Sequence, residues 1–379
     1  MSTQMTRRQW LGQSSIMLGT AALASYWGVS HASALQIQTG LRSPIRMLFN
    51  ENPYGPSEVA REAMKKAFDE ANLYSFFEGA YDELCDIIAK KVGLTADHIL
   101  IASGSTEILR VSALLTGLEG GEIISPHPTY DTMNAYAETI GVKVHRVPLK
   151  DDFHFDLEAM RQKITEKVKL IYLCNPNNPT GTITPYDEFR PFCEELAKKM
   201  LVFVDEAYYE YVADPQYRSM VELVREGHNV IVSRTASKIH GLAGLRIGFG
   251  IADPKLVKYL KGRITGTNNI IGLRAAISSY QDENFQKFCQ QKNNEAKEFL
   301  YRLLRKTGRR FVPSHTNFVL FHTGLPVKEF GDAMKKRGIL VGRPFPPYLD
   351  WCRLSMAKVE EMEKFAAAFQ EVMGYNAVS

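Results

Sequence analysis

Residues 229–250 read NVIVSRTASKIHGLAGLRIGFG, and their reading decides the fold. The run NVIVS is apolar and rich in β-branched residues, with no polar face, so as a strand it must be covered on both sides. Strands of that kind belong to the interior of a mainly parallel sheet with helices on its two faces. A second apolar run, LRIGFG (245–250), follows after a loop of small and hydroxyl residues. Within that loop stands one lysine, Lys238, and eight residues later Arg246 sits at the start of the second run. A solvated surface would hold more charge than this, and a plain core would hold none.

Outward from this stretch the same strand type recurs. ILIAS (99–103), EIIS (122–125), KVHRV (143–147), KLIYLC (169–174) and LVFVDE (201–206) complete a set of seven candidate strands. Between them lie amphipathic segments such as YDELCDIIAKKV, whose Leu84, Ile87, Ile88 and Val92 fall at helical spacing. Strands alternating with helices predict a three-layer α/β/α fold around a mainly parallel seven-stranded sheet. From about residue 281 the pattern changes. A long polar helix is followed by FVPSHTNFVLFHT, a short helix, GILVG, the loop RPFPPYLDW, CRLSM and a last helix from about Val359, which together predict a smaller α+β domain. The expected organisation is residues 1–34 as a signal, 35–64 as an arm with part of the small domain, 65–280 as the large domain and 281–379 as the C-terminal small domain.

At 379 residues the chain is long enough for a large domain and a smaller one. The N-terminus carries Arg7 and Arg8 in TRRQWLG, then a weakly apolar stretch, then Ala32-Ser33-Ala34 of the small-residue cleavage type. This pattern resembles the twin-arginine signal of exported proteins, and it predicts a periplasmic protein whose mature chain has no membrane span. Residues 1–34 hold no Asp, Glu or Lys, so the remainder carries 44 basic against 42 acidic residues. Such balance gives no footprint for nucleic acid. The five cysteines, Cys85, Cys174, Cys193, Cys289 and Cys352, are widely spaced with no C-x-x-C, so no metal site is expected, most are expected in the core, and a disulfide is permitted but leaves at least one thiol unpaired.

In sheets of this type, function gathers in the loops at the carboxyl ends of the strands. After ILIA comes Ser103-Gly104-Ser105-Thr106-Glu107 and a helix, either an anion cradle at a helix N-terminus or ordinary capping. After EIIS comes PHPTYDTM, where Tyr130 opens the next helix and either stacks on a flat ligand or packs. After KLIYLC comes NPNNPTGT, a rigid loop of prolines and asparagines. Asp205 ends the very apolar LVFV, and a buried carboxylate there needs a cation that no neighbour in sequence supplies. Lys238, beside hydroxyls at a strand end, is placed to lose its proton and form a Schiff base, and Arg246 to grip a phosphate as a fork. An aldehyde for the lysine, a ring nitrogen for the carboxylate, a flat face for the tyrosine and a phosphate describe one ligand, pyridoxal 5′-phosphate.

The motifs NENPYGPS, SGSTE, HPTYD, NPNNPTG, DEAY, SK..GLAGLRIG and CRLS, in this order, resemble those of the fold type I, class I/II aminotransferases. The resemblance is strongest to the histidinol-phosphate aminotransferase-like branch and covers about residues 44–372. It implies that Lys238 is the covalent anchor and that Asp205 pairs with the pyridine nitrogen. It implies that Tyr208 and Asn178 bind the phenolic oxygen and that Tyr130 stacks on the ring. Ser105, Thr106, Thr235, Ser237 and Arg246 match phosphate ligands. Tyr74 matches a tyrosine that reaches the cofactor phosphate of the neighbouring subunit, which implies a homodimer with shared sites. Arg353 matches the arginine that clamps the substrate α-carboxylate, and Asn52, Tyr54 and Arg343 fall where the family shapes substrate recognition. The stretch LYSFFEGAY departs from the family, with Phe76 and Phe77 where Tyr-Pro is common near Tyr74. RPFPPYLDW is also richer in proline and aromatic residues than in the biosynthetic enzymes.

The implied activity is pyridoxal-phosphate-dependent transamination between an amino acid, aromatic or histidinol-phosphate-like, and a 2-oxo acid. A carbon–sulfur lyase on the same fold and a non-catalytic periplasmic binding protein are the alternatives.

Overall fold

The inner strands of the central sheet have two apolar faces, and in the computed structural model both are used, whereas the edge strand Val144–Pro148 is mostly only partly buried. The structure describes residues 44–75 and 78–374. The proposed signal at residues 1–34 and the pair Phe76 and Phe77 lie outside them. All elements below belong to the unit Arg46–Ser379. The sheet strands are β1 (Ile99–Ala102), β2 (Glu122–His127), β3 (Val144–Pro148), β4 (Val168–Cys174), β5 (Leu201–Asp205), β6 (Val230–Thr235) and β7 (Gly248–Ile251). Their spatial order is β1-β7-β6-β5-β4-β2-β3, parallel throughout except that β7 runs antiparallel to both its neighbours.

Side chains alternate between two cores. Ile171 and Leu173 of β4 join one cluster, with Val202, Val204, Val230 and Val232. Leu170, Tyr172 and Cys174 join the other, with Phe203 and Ile231. Helices α1 (Ala80–Val92), α4 (Tyr186–Ala197) and α5 (Ile270–Gln281) contribute to the first, and α2 (Ser105–Leu118) and α3 (Thr132–Thr139) to the second. Full burial of each such aliphatic or aromatic side chain contributes about 1.5–3 kcal/mol, so the doubly covered sheet is the rigid platform of the molecule.

The later part of the chain supplies the long helix α6 (Glu283–Lys306), β8 (Phe318–His322), β9 (Ile339–Val341), β10 (Trp351–Ser355) and the last helix α7 (Val359–Val372). β8 and β10 pair antiparallel with Arg353 opposite Leu320 and Ser355 opposite Phe318. All five cysteines are buried and unbridged.

Two local expectations are corrected. The run LRIGFG is not a strand from Leu245: residues Ala243–Leu245 form a 3-10 turn, Arg246 takes a left-handed conformation (φ 57°), and β7 begins only at Gly248. Arg246 therefore lies in a turn before the strand, where its side chain can fold back over the preceding loop. The connection from β6 to this strand, residues 236–247, holds the Lys238 loop and a 3-10 turn but no α-helix, whereas a parallel return is usually carried by a crossover helix. Tyr130, finally, precedes its helix, which starts at Thr132.

Candidate active site

The carboxyl ends of β1, β4, β5 and β6 come to one edge of the sheet, and the anomalous residues of the sequence meet there. Asp205 is the last residue of β5, 1% exposed, with Cys174 and Ser233 as its register partners on either side. Ser233 Oγ donates to Asp205 Oδ1 at 2.9 Å, and the Tyr172 hydroxyl reaches Oδ2 at 3.4 Å. Burial pushes the Asp205 carboxyl up to about 6, against the pull of these two donors and of Lys238. The sequence placed no cation beside Asp205. The structure supplies two neutral hydroxyls and leaves the carboxylate suited to a protonated ring nitrogen.

Lys238 follows β6 in the loop and is partly buried. Its Nζ donates to the carbonyls of Phe49 (3.4 Å) and Asn50 (3.3 Å) and lies 5.5 Å from the centre of the Tyr208 ring. Burial, reinforced by the Arg353 charge, lowers its ammonium to about 8. The lysine therefore becomes a neutral amine, the form a nucleophile or base requires, from about pH 8 upward, well below the range of an ordinary lysine.

The Tyr208 hydroxyl accepts from Asn50 Nδ2 at 2.9 Å and from Asn178 Nδ2 at 3.3 Å. Asn50 went unnoticed in the sequence. It is 1% exposed and sits at φ 56°, a left-handed conformation that asparagine tolerates. Ser355 donates to its Oδ1 at 2.8 Å, and Asn317 donates to its carbonyl at 3.0 Å. Its signal in the sequence is a polar residue in NENPYGPS, two positions before Asn52.

An anion cradle stands at the start of α2. The helix is capped by Gly104, which gives no side-chain cap to its first N–H groups, at Ser105 and Thr106. The Arg246 guanidinium lies over Gly104, where an added Cβ would come within 2.3 Å of its Nη2. Its other partners are the Ser237 hydroxyl (3.3 Å) and the carbonyls of Ala243 (2.9 Å) and Ser103 (3.5 Å). Thr235 donates to Ser237 at 3.0 Å. Thus Ser105, Thr106, Thr235, Ser237 and Arg246 belong to one donor-rich corner. Tyr130, half-buried, packs with the cluster that contains Tyr172 and Cys174.

Arg353 projects from β10 and is 8% exposed. Its Nη1 donates to Asn178 Oδ1 at 2.7 Å and its Nη2 to the Leu48 carbonyl at 2.6 Å. Among the described residues no group accepts from its Nε. Burial lowers this guanidinium to about 10, and a buried donor without a partner marks the place of a missing acceptor. Asn52 donates to the Ile239 carbonyl at 2.7 Å, which sets it against the Lys238 loop, and accepts from the Tyr54 N–H at 3.0 Å. The Tyr54 ring meets Phe288 edge-on at 5.0 Å. Arg343 is exposed and lies 4.5 Å from the centre of the Phe345 ring, which is itself 4.9 Å from the Arg353 guanidinium. Tyr74 is 73% exposed, next to Ser75, which donates to the Asn268 carbonyl at 2.5 Å.

The parts fit pyridoxal 5′-phosphate: a lysine amine, a buried carboxylate with neutral donors, a phenol and an amide for a phenolic oxygen, and an open helix N-terminus with an arginine for a phosphate. Fold and site together define a pyridoxal-phosphate-dependent enzyme of the fold type I class. The family description Aminotransferase class I and II matches residues 43–369, and the chain belongs to that family.

The chain is 32% identical over 339 residues to a histidinol-phosphate aminotransferase of Halalkalibacterium halodurans, covering 89% of this chain and 91% of that protein. It is 34% identical over 339 residues to the enzyme of that name from Brevibacillus brevis, covering 88% and 92%. Among solved structures, a putative histidinol-phosphate aminotransferase from Erwinia carotovora atroseptica superposes with a TM-score of 0.84 at 34% identity, over 87% of this chain and 96% of that one. A histidinol-phosphate aminotransferase from Sinorhizobium meliloti, solved with pyridoxal-5′-phosphate, gives 0.82 at 28% identity, over 90% and 94%. The protein is a pyridoxal-phosphate-dependent aminotransferase acting on amino acids and 2-oxo acids.

Proposed function

We propose that this aminotransferase takes its amino group from an aromatic or histidinol-phosphate-like donor, and that its site works through the residue roles that follow. Lys238 anchors the cofactor covalently, and its freed amine takes the substrate Cα proton and returns it. Asp205 holds a proton at the ring nitrogen. Tyr208 and Asn178 bind the phenolic oxygen, Tyr130 covers the ring, and Ser105, Thr106, Thr235, Ser237 and Arg246 bind the phosphate. Pyridoxal phosphate, when bound, supplies the electron sink for the bond broken at Cα.

The observation that carries the substrate side is Arg353. Its Nε–H and the remaining N–H groups of Nη1 and Nη2 are left for a carboxylate fork, while Asn178 and Leu48 hold the guanidinium in place. The Tyr54–Phe288 pair supports an aromatic side chain. Arg343 near Phe345, and the names of the relatives, support a donor with a second anion. Tyr74, exposed as a bridge to a second subunit requires, supports a homodimer with shared sites. Twin-arginine export to the periplasm rests on TRRQWLG and Ala32-Ser33-Ala34; that route carries folded proteins, so the cofactor can be loaded before export.

The deciding experiment offers the holoenzyme histidinol phosphate, phenylalanine, tyrosine and small aliphatic amino acids in turn. Loss of the bound cofactor's visible absorbance is read together with 2-oxo acid formed after an acceptor is added. Aromatic or phosphorylated donors are expected to react fastest. A preference for small aliphatic donors refutes the substrate class, and release of pyruvate and ammonia from cysteine conjugates without an acceptor establishes the lyase instead.

A further inference from the structure

The strand KLIYLC places a tyrosine where the other inward positions are aliphatic or sulfur-bearing. Tyr172 is fully buried, its ring edge-on to Phe203 with centres 6.0 Å apart. A buried phenol needs a partner for its hydroxyl. Here that partner is the carboxylate of Asp205, on the adjacent strand and the same face of the sheet. From the opposite neighbour, β6, Ser233 donates to the other carboxylate oxygen. Each oxygen of Asp205 thus receives one neutral hydroxyl, from a strand whose register is set by the sheet.

We infer that Tyr172 and Ser233 are positioning residues that hold the Asp205 carboxylate ionised and aimed at the ring nitrogen of the cofactor. This deepens the reading above and rests on its pairing of Asp205 with that nitrogen. Neutral donors suit the task. They stabilise the charge without a second cation that would compete with the protonated ring. The titratable groups facing the pair are Lys238 from the loop after β6, Cys174 on β4 and Tyr130 from the loop after β2. Both hydroxyls pull the Asp205 carboxyl down against the effect of burial.

The test uses Tyr172→Phe, which keeps the ring and its packing, and Ser233→Ala, each as holoenzyme with its melting temperature checked. Three quantities are read: the dissociation constant for pyridoxal phosphate, the pH titration of the bound cofactor's absorbance, and kcat against KM for the donor. Loss of a hydrogen bond to a charged group predicts about tenfold weaker cofactor binding and about a tenfold lower kcat. The absorbance titration is expected to shift, with KM changed less than about threefold because Arg353 is untouched. The double variant is expected to fall short of the product of the two single effects, since both hydroxyls serve one carboxylate.

Wild-type affinity and titration in a folded Tyr172→Phe protein overturn the inference. If that variant does not fold, the same wild-type result in Ser233→Ala overturns it. Asp205→Ala separates the two levels: a wild-type titration there defeats the pairing of Asp205 with the ring, whereas a shift there with none in Tyr172→Phe defeats only the positioning role.

Discussion

Asn178 Oδ1 accepts from Arg353 Nη1 at 2.7 Å, while Nδ2 of the same amide donates to the Tyr208 hydroxyl at 3.3 Å. One side chain therefore joins the guanidinium proposed to bind the substrate to the phenol proposed to bind the cofactor. The rigid NPNNPTG loop holds it there. Backbone N–H groups of Asn177 and Gly181 close the loop on the carbonyls of Thr182 and Asn177 (2.9 and 2.8 Å), and Asn177 ties it to Pro128 and Thr129.

Replacing Asn178 with Ala should therefore affect both sides of the site. Tyr208 keeps Asn50 and Arg353 keeps Leu48, so the loss is partial. We expect kcat/KM to fall by about ten- to a hundredfold, from two modest hydrogen bonds, one of them charged. The bound cofactor's absorbance should shift and the donor KM should rise in the same protein. An effect on only one of the two would show that the amide does not couple them.

Arg353→Lys separates the substrate side. Lysine keeps the charge but loses the planar fork, so a carboxylate can no longer be held at two points. The donor KM is expected to rise at least about tenfold, while the cofactor spectrum stays that of the wild type. A changed spectrum with an unchanged KM would assign Arg353 to the cofactor instead.

The Lys238 amine sets a pH dependence whose sign is fixed by its lowered value. Below about 8 the group is mostly an ammonium and cannot attack an aldehyde; above it the free amine predominates. Capture of pyridoxal phosphate by cofactor-free protein should accelerate about tenfold per pH unit up to about pH 8 and then level off. Stopped-flow absorbance checks this. An acceleration that continues to pH 10 would mean that the lysine behaves as an ordinary surface one. Lys238→Ala should bind the cofactor without covalent capture and lose turnover.

Much of this was legible because the decisive residues contradict their surroundings. Asp205 after LVFV and Lys238 after NVIVS are charges at the ends of apolar strands, and composition alone makes them conspicuous. The direction of β7 was not legible. GFGI is buried on both faces, and such a run looks the same for either strand direction. The left-handed turn at Arg246 escaped for a related reason, since nothing in LRIGFG forbids an earlier strand start. Asn50 and Tyr172 are hidden more deeply. Their meaning lies in partners 158 and 33 residues away, Tyr208 and Asp205, which only the fold brings within reach.

Gly248 offers a test of the phosphate corner that involves no charged group. It opens β7 between Ala102 and Thr235, and a Cβ there would lie 2.2 Å from the Ser105 nitrogen and 2.5 Å from the Gly104 carbonyl carbon. Both are backbone atoms, so the helix N-terminus itself would have to move. Gly250, two residues along the same strand, is a matched control, because a Cβ there meets only side chains of Ile108 and Ile231 at 3.4–3.8 Å. Gly248→Ala is expected to cost about 1–3 kcal/mol of stability, as overpacking does, and to weaken cofactor binding by displacing the N–H groups of Ser105 and Thr106. Gly250→Ala is expected to change cofactor affinity less than about twofold, since side chains alone adjust. Melting curves and cofactor titrations of the two variants decide it. Equal affinities would mean that the close approach of β7 to the helix does not shape the phosphate site.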